Sequence, residues 1–260
     1  MIDPGIKTAY EVGGRRYTLL SDLHTHTTYS HGTGSIRENV EAARARGIMK
    51  IGIADHGPGH LFYGIKRRMY ARMKADIEEV RAEYPDMEIL LGVEANIEGG
   101  KGVIDVVPRD SEYFDFVGAG YHYGTLGGGT PFGLFKEAGN LISTASGRTA
   151  KAIIRSNTNS VVKAIEKNDI LFLTHPGDKA SVDLLEVAAA CARRGTLVEI
   201  NMKHRSLSAD DIATMAIADI GFIVGSDAHS PDRIGHFTGA VDLICESGID
   251  PERVVNIKVE

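Results

Sequence analysis

The chain of 260 residues is 43% hydrophobic and 25% charged, which suits one large domain or two small ones with a sizeable core. Its net charge of −6 argues against a protein that coats nucleic acid. The two cysteines, Cys191 and Cys245, exclude a disulfide framework and a cysteine-rich zinc site, and we expect both to be buried free thiols. Because we find neither a signal peptide nor a membrane-spanning run, we expect a cytoplasmic protein.

Short apolar runs alternate with longer amphipathic runs along the chain. The short runs predict strands at residues 17–23, 50–55, 88–97, 114–122, 170–177, 196–201 and 222–229. The amphipathic runs predict helices at residues 35–47, 67–85, within 149–169, and at 182–195, 209–221 and 236–247. The first of these helices has the clearest boundaries, because Ser35 and Glu38 form a capping-box pattern and Gly47 follows the last turn.

This alternation is typical of an α/β fold with a parallel sheet covered on both faces. With seven strands, we predict a distorted (β/α)7 barrel, similar to a TIM barrel, as a single domain over residues 1–260. The segment 123–147 interrupts the pattern because it is long and rich in Gly, Ser and Thr. Connections of this length are usually lids, binding loops or disordered segments. We predict a long Gly-rich loop here, and the sequence does not decide among these roles.

Histidines and acidic residues follow six of the seven predicted strands. The stretch SDLHTHTTYSHG (21–32) begins the series. The candidate metal ligands are His24, His26, His31, His56, Glu94, His122, His175, Asp227 and His229. The C-terminal ends of barrel strands surround one opening, where active sites of this architecture lie, so we expect these side chains to meet there.

Seven imidazoles and two carboxylates are suitable ligands for Zn, Mn or Fe. In the His-x-His and Asp-x-His pairs, residues two apart in extended chain point to the same side and can reach one ion. Nine ligands exceed what one four-coordinate ion needs, which indicates two or three ions with Glu94 as a bridge.

A single histidine at a strand end is more often a hydrogen-bonded core or loop residue than a ligand. Six strand ends that all carry a histidine or an acid favour metal binding instead. His60, His204 and His236 do not follow the pattern, and we expect them on loops or at helix starts, with at most a contact to substrate.

The assembled motifs resemble those of the PHP (polymerase and histidinol phosphatase) family. They are DLHTHTTYSHG, IADHGP, GVEANI, GYH, THPG, EIN and GSDAH, in the family's order between Asp22 and Asn256. This resemblance implies a distorted seven-stranded barrel with three metal ions at the strand ends. His31 stands where many members have Asp, as in the stand-alone phosphatase-like branch with three metals.

The resemblance also implies how the ligands are shared among the ions. One ion would be held by His24, His26, Glu94 and Asp227, a second by Glu94, His122 and His175, and a third by His31, His56 and His229. Of these residues we expect Glu94, Asp227 and His229 to be catalytic. Hydroxide held by the ions would attack the phosphorus of a small phosphorylated substrate and release an alcohol and phosphate.

Further side chains would support this chemistry. Asp22 and Asn201 are candidates to orient the histidines, although a structural role is equally compatible with the sequence. Lys203, Arg205 and Arg233 follow strand ends and are candidates to bind the substrate phosphate. The basic run 66–74 is more typical of a solvated helix face.

The sequence leaves three other functions open. A nuclease or nucleotide phosphoesterase would keep the chemistry, but the acidic net charge makes nucleic acid a less favoured partner. A regulatory domain could bind metals without turnover. A carbon–nitrogen hydrolase usually needs a bridging lysine, and none follows a strand in a suitable place. The sequence specifies no oligomeric state and no membrane partner.

Overall fold

The computed structural model describes residues 8–125 and 147–260. The strands are β1 (Ala9–Val12), β2 (Arg15–Leu19), β3 (Ser21–Thr25), β4 (Lys50–Ile53), β5 (Glu88–Glu98), β6 (Val103–Ile104), β7 (Phe116–Gly120), β8 (Phe172–Leu173), β9 (Leu197–Asn201), β10 (Phe222–Gly225) and β11 (Ile257–Val259). The α-helices are α1 (Ile36–Ala45), α2 (Tyr70–Glu83), α3 (Gly147–Lys167), α4 (Leu184–Arg194), α5 (Ala209–Met215) and α6 (Thr238–Ser247). Helices therefore separate most of the strands, as the sequence predicts.

Seven parallel strands form the central sheet in the order β3, β4, β5, β7, β8, β9 and β10. The two ends of this sheet meet at a bridge between Thr25 and Ala228, which we call the seam. There the His26 backbone N–H donates to the Ala228 carbonyl at 2.8 Å. The sheet thus curves into a nearly closed barrel, and the predicted α/β barrel with seven strands is confirmed.

The helix boundaries follow from local hydrogen bonds. At the start of α1, the Glu38 backbone N–H donates to Ser35 Oγ at 3.2 Å, and the Ser35 N–H donates to the Glu38 carboxylate at 2.7 Å. This is the predicted capping box. At the end of α4, Gly195 takes a φ of 68°, a left-handed conformation that favours glycine. The buried faces of the helices join the strands in one apolar core.

A small apolar cluster fills the barrel interior beneath the candidate ligands. Its buried members are Leu23, Ala54, Phe116, Phe172 and Ile223. Glycines on neighbouring strands make room for the two phenylalanine rings: a Cβ at Gly92 would lie 2.1 Å from the Phe116 ring, and one at Gly118 would lie 2.9 Å from the Phe172 ring. The rings can close the barrel interior only because these positions lack side chains.

Replacing Gly92 by Ala is therefore expected to lower the free energy of unfolding by about 1–3 kcal/mol, the usual effect of overpacking a core. Urea denaturation of the chelated protein would measure it. Gly100→Ala is the matched control, since a Cβ there would meet only Ser160 Oγ, at 3.8 Å. Equal stability of the two variants would show that the Phe116 ring adjusts freely.

The predicted strand 17–23 is wrong as one element, because it forms two strands in different sheets. The chain breaks at Leu20, which is 47% exposed and donates its N–H to the Asn256 carbonyl at 2.9 Å. Before the break, β2 pairs antiparallel with β1 and β11 in a separate three-stranded sheet. After it, β3 enters the barrel.

The predicted helix 209–221 ends early, at Met215. The Arg253 guanidinium donates to the carbonyls of Ala216, Ala218 and Ile220 at 2.6–2.8 Å. These carbonyls are thus satisfied without continuing the helix.

Two other expectations concern the surface and the long loop. Cys191 is buried, but Cys245 is exposed on α6, so the prediction of two buried thiols is wrong for Cys245. Most of the predicted loop 123–147 falls on residues 126–146, which lie outside the described residues. The assignment of residues 1–260 to one domain stays a prediction. Within the described ranges, no helix is both long and apolar enough to cross a bilayer.

Candidate metal centre

The structure brings all nine predicted ligands together at the C-terminal ends of the barrel strands. Each ligand is positioned by a strand or by the turn that follows it. His24 belongs to β3 and Glu94 to β5, while the remaining ligands lie in the connections after β3, β4, β7, β8 and β10. Ring centroids of His26 lie 4.1 Å from His229 and 4.7 Å from His56. The cluster therefore joins residues from both ends of the barrel sheet.

Glu94 lies at the centre of the cluster and its side chain is 1% exposed. Its Oε1 lies 2.8 Å from His175 Nε2, 3.0 Å from His122 Nε2 and 3.3 Å from His24 Nε2. Its Oε2 lies 2.9 Å from His56 Nδ1 and 3.7 Å from His26 Nε2. Each carboxylate oxygen thus faces a different set of imidazoles, as a bridging ligand does.

Asp227 is the second carboxylate of the cluster, beside the seam. Its Oδ1 lies 3.2 Å from His26 Nε2 and 3.3 Å from His229 Nδ1. His31 completes this side, with its ring 4.2 Å from that of His229 and 4.9 Å from that of His56.

Backbone conformation directs several of these side chains. His175 has a φ of 27° and Asp227 a φ of 51°, values that non-glycine residues seldom adopt. Such conformations are unfavourable and cluster at functional sites. The turn between His26 and His31 is held by Asp55, whose buried carboxylate accepts hydrogen bonds from the Thr27 N–H at 2.7 Å and from the Ser30 hydroxyl.

Among the described residues, many polar atoms of the cluster make no hydrogen bond of acceptable geometry, even where another ligand atom is close. They are His24 Nε2, both ring nitrogens of His26, His31 Nδ1, His56 Nδ1, Glu94 Oε2, His122 Nδ1 and Asp227 Oδ1. Burying such atoms unpaired is costly. Two ligands about 2.1 Å from one tetrahedral ion are about 3.4 Å apart, which is close to the nitrogen–oxygen distances given above. The donor set therefore fits divalent cations.

Four groups of side chains could each hold one ion. In each group the ligand atoms lie within 4.8 Å of one another. The groups are His26, His56 and His229; His24, His26 and Asp227; His56, Glu94 and His122; and His175, His204 and Asp227. Only the second group lies within one of the ligand sets that the family resemblance implies. The other three groups each mix two of those sets, and the fourth also includes His204, which is outside them.

The histidine ligands differ in the direction in which the cluster shifts their pKa values. Burial lowers the pKa of His31 and His122 to about 3 and that of His229 to about 4, so these rings are neutral near pH 7, the form that binds metals. Burial acts in the same direction on His24, but the carboxylates of Glu199, Glu94 and Asp227 outweigh it and raise its pKa.

Glu199 is a functional candidate that the sequence analysis missed. It is buried in β9, with Oε1 2.6 Å from His24 Nδ1, and its Oε2 accepts the His175 N–H at 2.9 Å. A carboxylate in this position fixes which ring nitrogen of His24 faces the cluster. The available signal was a charged residue inside an otherwise apolar parallel strand, TLVEIN.

The two predicted orienting residues have different positions. The Asp22 carboxylate accepts hydrogen bonds from the backbone N–H groups of Ser226 and Gly235, at 3.2 and 2.8 Å. It thus connects β3 with the residues after β10 and does not contact a histidine ring. Asn201 donates to Glu199 Oε2 at 2.9 Å and to Asp227 Oδ2 at 3.2 Å, and so orients the two carboxylates.

His204 lies at the edge of the cluster, in the turn after β9. Its Nδ1 lies 3.0 Å from Asp178 Oδ2, and its Nε2 lies 3.4 Å from Asp227 Oδ2. From the sequence we expected at most a contact with substrate for this residue. His60 accepts the backbone N–H of Tyr63 at 3.2 Å on Nδ1 and also faces the cavity above the cluster.

That cavity has a volume of about 350 Å³. Besides histidines and Asp227, it is lined by Phe62, Tyr63, Tyr123, Gly124, Lys179 and Lys203. Lys203 Nζ lies 2.9 Å from His229 Nδ1 and 3.7 Å from Asp227 Oδ1.

The other two predicted phosphate-binding residues, Arg205 and Arg233, are exposed and do not line this cavity. The Arg205 guanidinium lies against α6 instead, where a Cβ at Gly239 would be 2.8 Å from its nitrogen. Of the three predicted residues, only Lys203 is brought to the cluster.

Several known proteins are similar to this chain. The model of the PHP domain family matches residues 22–203. A protein of Edwardsiella ictaluri named a probable phosphatase is 30% identical over 250 residues, which cover 90% of this chain and 89% of that protein. A probable phosphatase of Shewanella sediminis is 28% identical over 252 residues, with 91% and 89% covered.

Two solved structures have a similar fold. One is a histidinol phosphate phosphatase from Lactococcus lactis in complex with zinc, L-histidinol and phosphate, with a TM-score of 0.58 and 17% identity over 88% of this chain and 94% of that one. The other is the protein assigned as a histidinol phosphatase in Listeria monocytogenes, with a TM-score of 0.62 and 14% identity over 85% and 99%. At these identities, the similarity concerns the fold alone.

Proposed function

Because the chain belongs to the PHP domain family, we propose that it is a metal-dependent phosphoesterase that hydrolyses a small phosphomonoester. The observation that carries this proposal is the cluster of seven imidazoles and two carboxylates with unpartnered buried atoms at the barrel opening. Two relatives that are named probable phosphatases match this chain over 89% of their own length, which supports a hydrolase. The Lactococcus structure, with zinc and phosphate bound to a similar barrel, supports divalent metals in this role.

We propose three divalent ions, Zn, Mn or Fe, held by His24, His26, His31, His56, Glu94, His122, His175, Asp227 and His229. When bound, such ions lower the pKa of water and offset the negative charge of a phosphate ester. Glu94 would hold two ions at a fixed separation, because its two oxygens face different imidazoles. We propose Glu94, Asp227 and His229 as catalytic residues, because each would hold an ion that acts on the substrate.

The cavity above the cluster is open to solvent and suits a small substrate. Its volume of about 350 Å³ is at the lower end of the range for small-molecule sites. The ammonium of Lys203 lies 2.9 Å from His229 Nδ1, where it can contact an anionic phosphate oxygen. The aromatic rings of Phe62, Tyr63 and Tyr123 line the side of the cavity and offer an apolar surface to the alcohol part of the substrate.

Release of phosphate from an aryl phosphate would test this function. We expect the metal-loaded protein to turn over the substrate, and the chelated protein to lose this activity and recover it when Zn or Mn is restored. Full activity after complete chelation would contradict the proposal, as would a loaded protein that is inactive on a broad panel of phosphomonoesters. Digestion of a labelled oligonucleotide in the same preparation would instead indicate a nuclease.

Replacing Lys203 by Ala is expected to lower kcat/KM about 10- to 100-fold, mainly through KM, because a charge-assisted hydrogen bond to phosphate is lost. Arg205→Ala and Arg233→Ala are the matched controls, since both side chains are exposed and outside the cavity lining. Steady-state kinetics on one aryl phosphate would measure all three variants. A larger effect at either arginine would place the phosphate outside this cavity.

A further inference from the structure

We infer that His204 is a further metal ligand, which joins His175 and Asp227 around a divalent cation and is held in place by Asp178. This inference rests on the metal binding proposed above, and it adds a residue outside the nine ligands that the family resemblance implies. Ligand atoms of His175, His204 and Asp227 lie within 4.8 Å of one another.

The first support is the orientation of the His204 ring. Asp178 Oδ2 lies 3.0 Å from Nδ1, so the carboxylate favours a hydrogen on that nitrogen and leaves the lone pair of Nε2 toward the cluster. Metal-binding histidines usually have a carboxylate or carbonyl on their second nitrogen in this way. Within the same cluster, Glu199 Oε1 lies 2.6 Å from His24 Nδ1. A carboxylate thus faces the second nitrogen of both rings, at a shorter distance and with hydrogen-bond geometry at His24.

The second support is the rigidity of the turn that carries His204. The backbone N–H groups of Lys203 and His204 both donate to Asn201 Oδ1, at 2.9 and 2.8 Å. Asn201 itself donates to Asp227 Oδ2 at 3.2 Å. One side chain therefore fixes both the turn and the carboxylate opposite His204, so their spacing does not depend on a freely moving loop.

The third support is the division of contacts at Asp227. Its Oδ1 faces His26 at 3.2 Å, whereas its Oδ2 faces His204 Nε2 at 3.4 Å. The two oxygens point to different imidazoles, as those of Glu94 do. Asp227 would then be a second bridging carboxylate, shared between the ion at the seam and the ion at His175.

The test is a comparison of metal affinity in His204→Ala, Asp178→Asn and the control His236→Ala, which removes a histidine outside the cluster. Each protein is loaded with Zn or Co, and the ions are counted by mass spectrometry and withdrawn by a chromogenic chelator. We expect His204→Ala to weaken the retention of one ion at least about tenfold, and Asp178→Asn to weaken the same ion by a smaller factor. The absorption spectrum of the cobalt form should change in His204→Ala alone or in both variants, and not in the control.

Unchanged ion count, affinity and cobalt spectrum in His204→Ala would overturn the inference. So would a variant whose only change is a higher KM, since that would make His204 a substrate contact. Circular dichroism of the chelated variants would identify a folding defect, and His204→Gln then provides a second variant that keeps a polar side chain. A wild-type protein that binds ions without phosphatase activity would contradict the proposed function but not this ligand.

Discussion

Replacing Glu94 by Gln is expected to reduce phosphatase kcat/KM by more than about 100-fold. Loss of a residue that only orients a metal ligand costs about 10- to 100-fold, and Glu94 is itself a proposed ligand. Glu94 has nitrogen atoms of five histidines within 3.7 Å, which are His24, His26, His56, His122 and His175. An amide keeps the shape of the side chain but removes the negative charge and one acceptor. The expected result is therefore loss of ions, with the fold retained.

Glu98→Gln is the matched control, because it makes the same chemical change in the same strand, β5, outside the cluster. Metal content and steady-state kinetics would be measured on both variants after identical loading. We expect Glu98→Gln to keep its ions and its activity. If Glu94→Gln retained full metal content and turnover, Glu94 would not be a bridging ligand.

The metal-free protein is expected to become less stable as the pH falls from 6.5 to 5. Burial lowers the pKa of His26 well below its usual range and that of His122 to about 3. Burial also lowers the pKa of His31 to about 3, and those of His60 and His229 to about 4. In the unfolded chain these values return to about 6.5, so between about pH 6.5 and 4 the unfolded chain binds more protons, and acid favours unfolding.

His24 and His175 act in the opposite sense. Burial opposes their charge, but neighbouring carboxylates outweigh it and raise both pKa values. Their contribution is complete below about pH 6.5 and is lost as the pH rises through the raised values. The chelated protein should thus be most stable near neutral pH and lose stability on both sides.

Urea denaturation of chelated protein at a series of pH values would measure this curve. The loss between pH 6.5 and 5 should exceed about 1.5 kcal/mol, the contribution of one fully buried neutral histidine. His122→Asn should flatten the acidic side, whereas His236→Ala should leave the slope unchanged. A flat curve for the wild type would mean that the rings are already solvated in the metal-free state.

The sequence predicted the barrel because its strands are short, apolar and separated by clear stop signals. Capping residues such as Ser35 and Gly195 mark helix ends by local hydrogen bonds and backbone conformation, which single positions reveal. The break at Leu20 depends instead on pairing with Asn256, near the other end of the chain. Such long-range pairing leaves no local pattern.

The same difference between local patterns and long-range pairing explains which site residues could be predicted. Histidines directly after strands could be placed at one opening, because the barrel topology fixes where strand ends lie. Glu199 was missed because it lies within β9, whereas the candidate ligands were sought among the residues at or after the strand ends. His204 and Asp178 were missed because their pairing depends on how two turns meet, at 3.0 Å between Nδ1 and Oδ2. The placement of Arg205 away from the cavity likewise follows from its contact with α6.

The seam joins β3, close to the N-terminal end, with the residues after β10, close to the C-terminal end. His26 and Asp227, which meet there, are separated by most of the chain, so closing this contact is entropically demanding. During synthesis, β10 leaves the ribosome long after β3, and a chain interrupted before Asp227 cannot assemble this part of the centre. Cation binding at the seam would therefore report that β10 has been synthesised and that the barrel has closed.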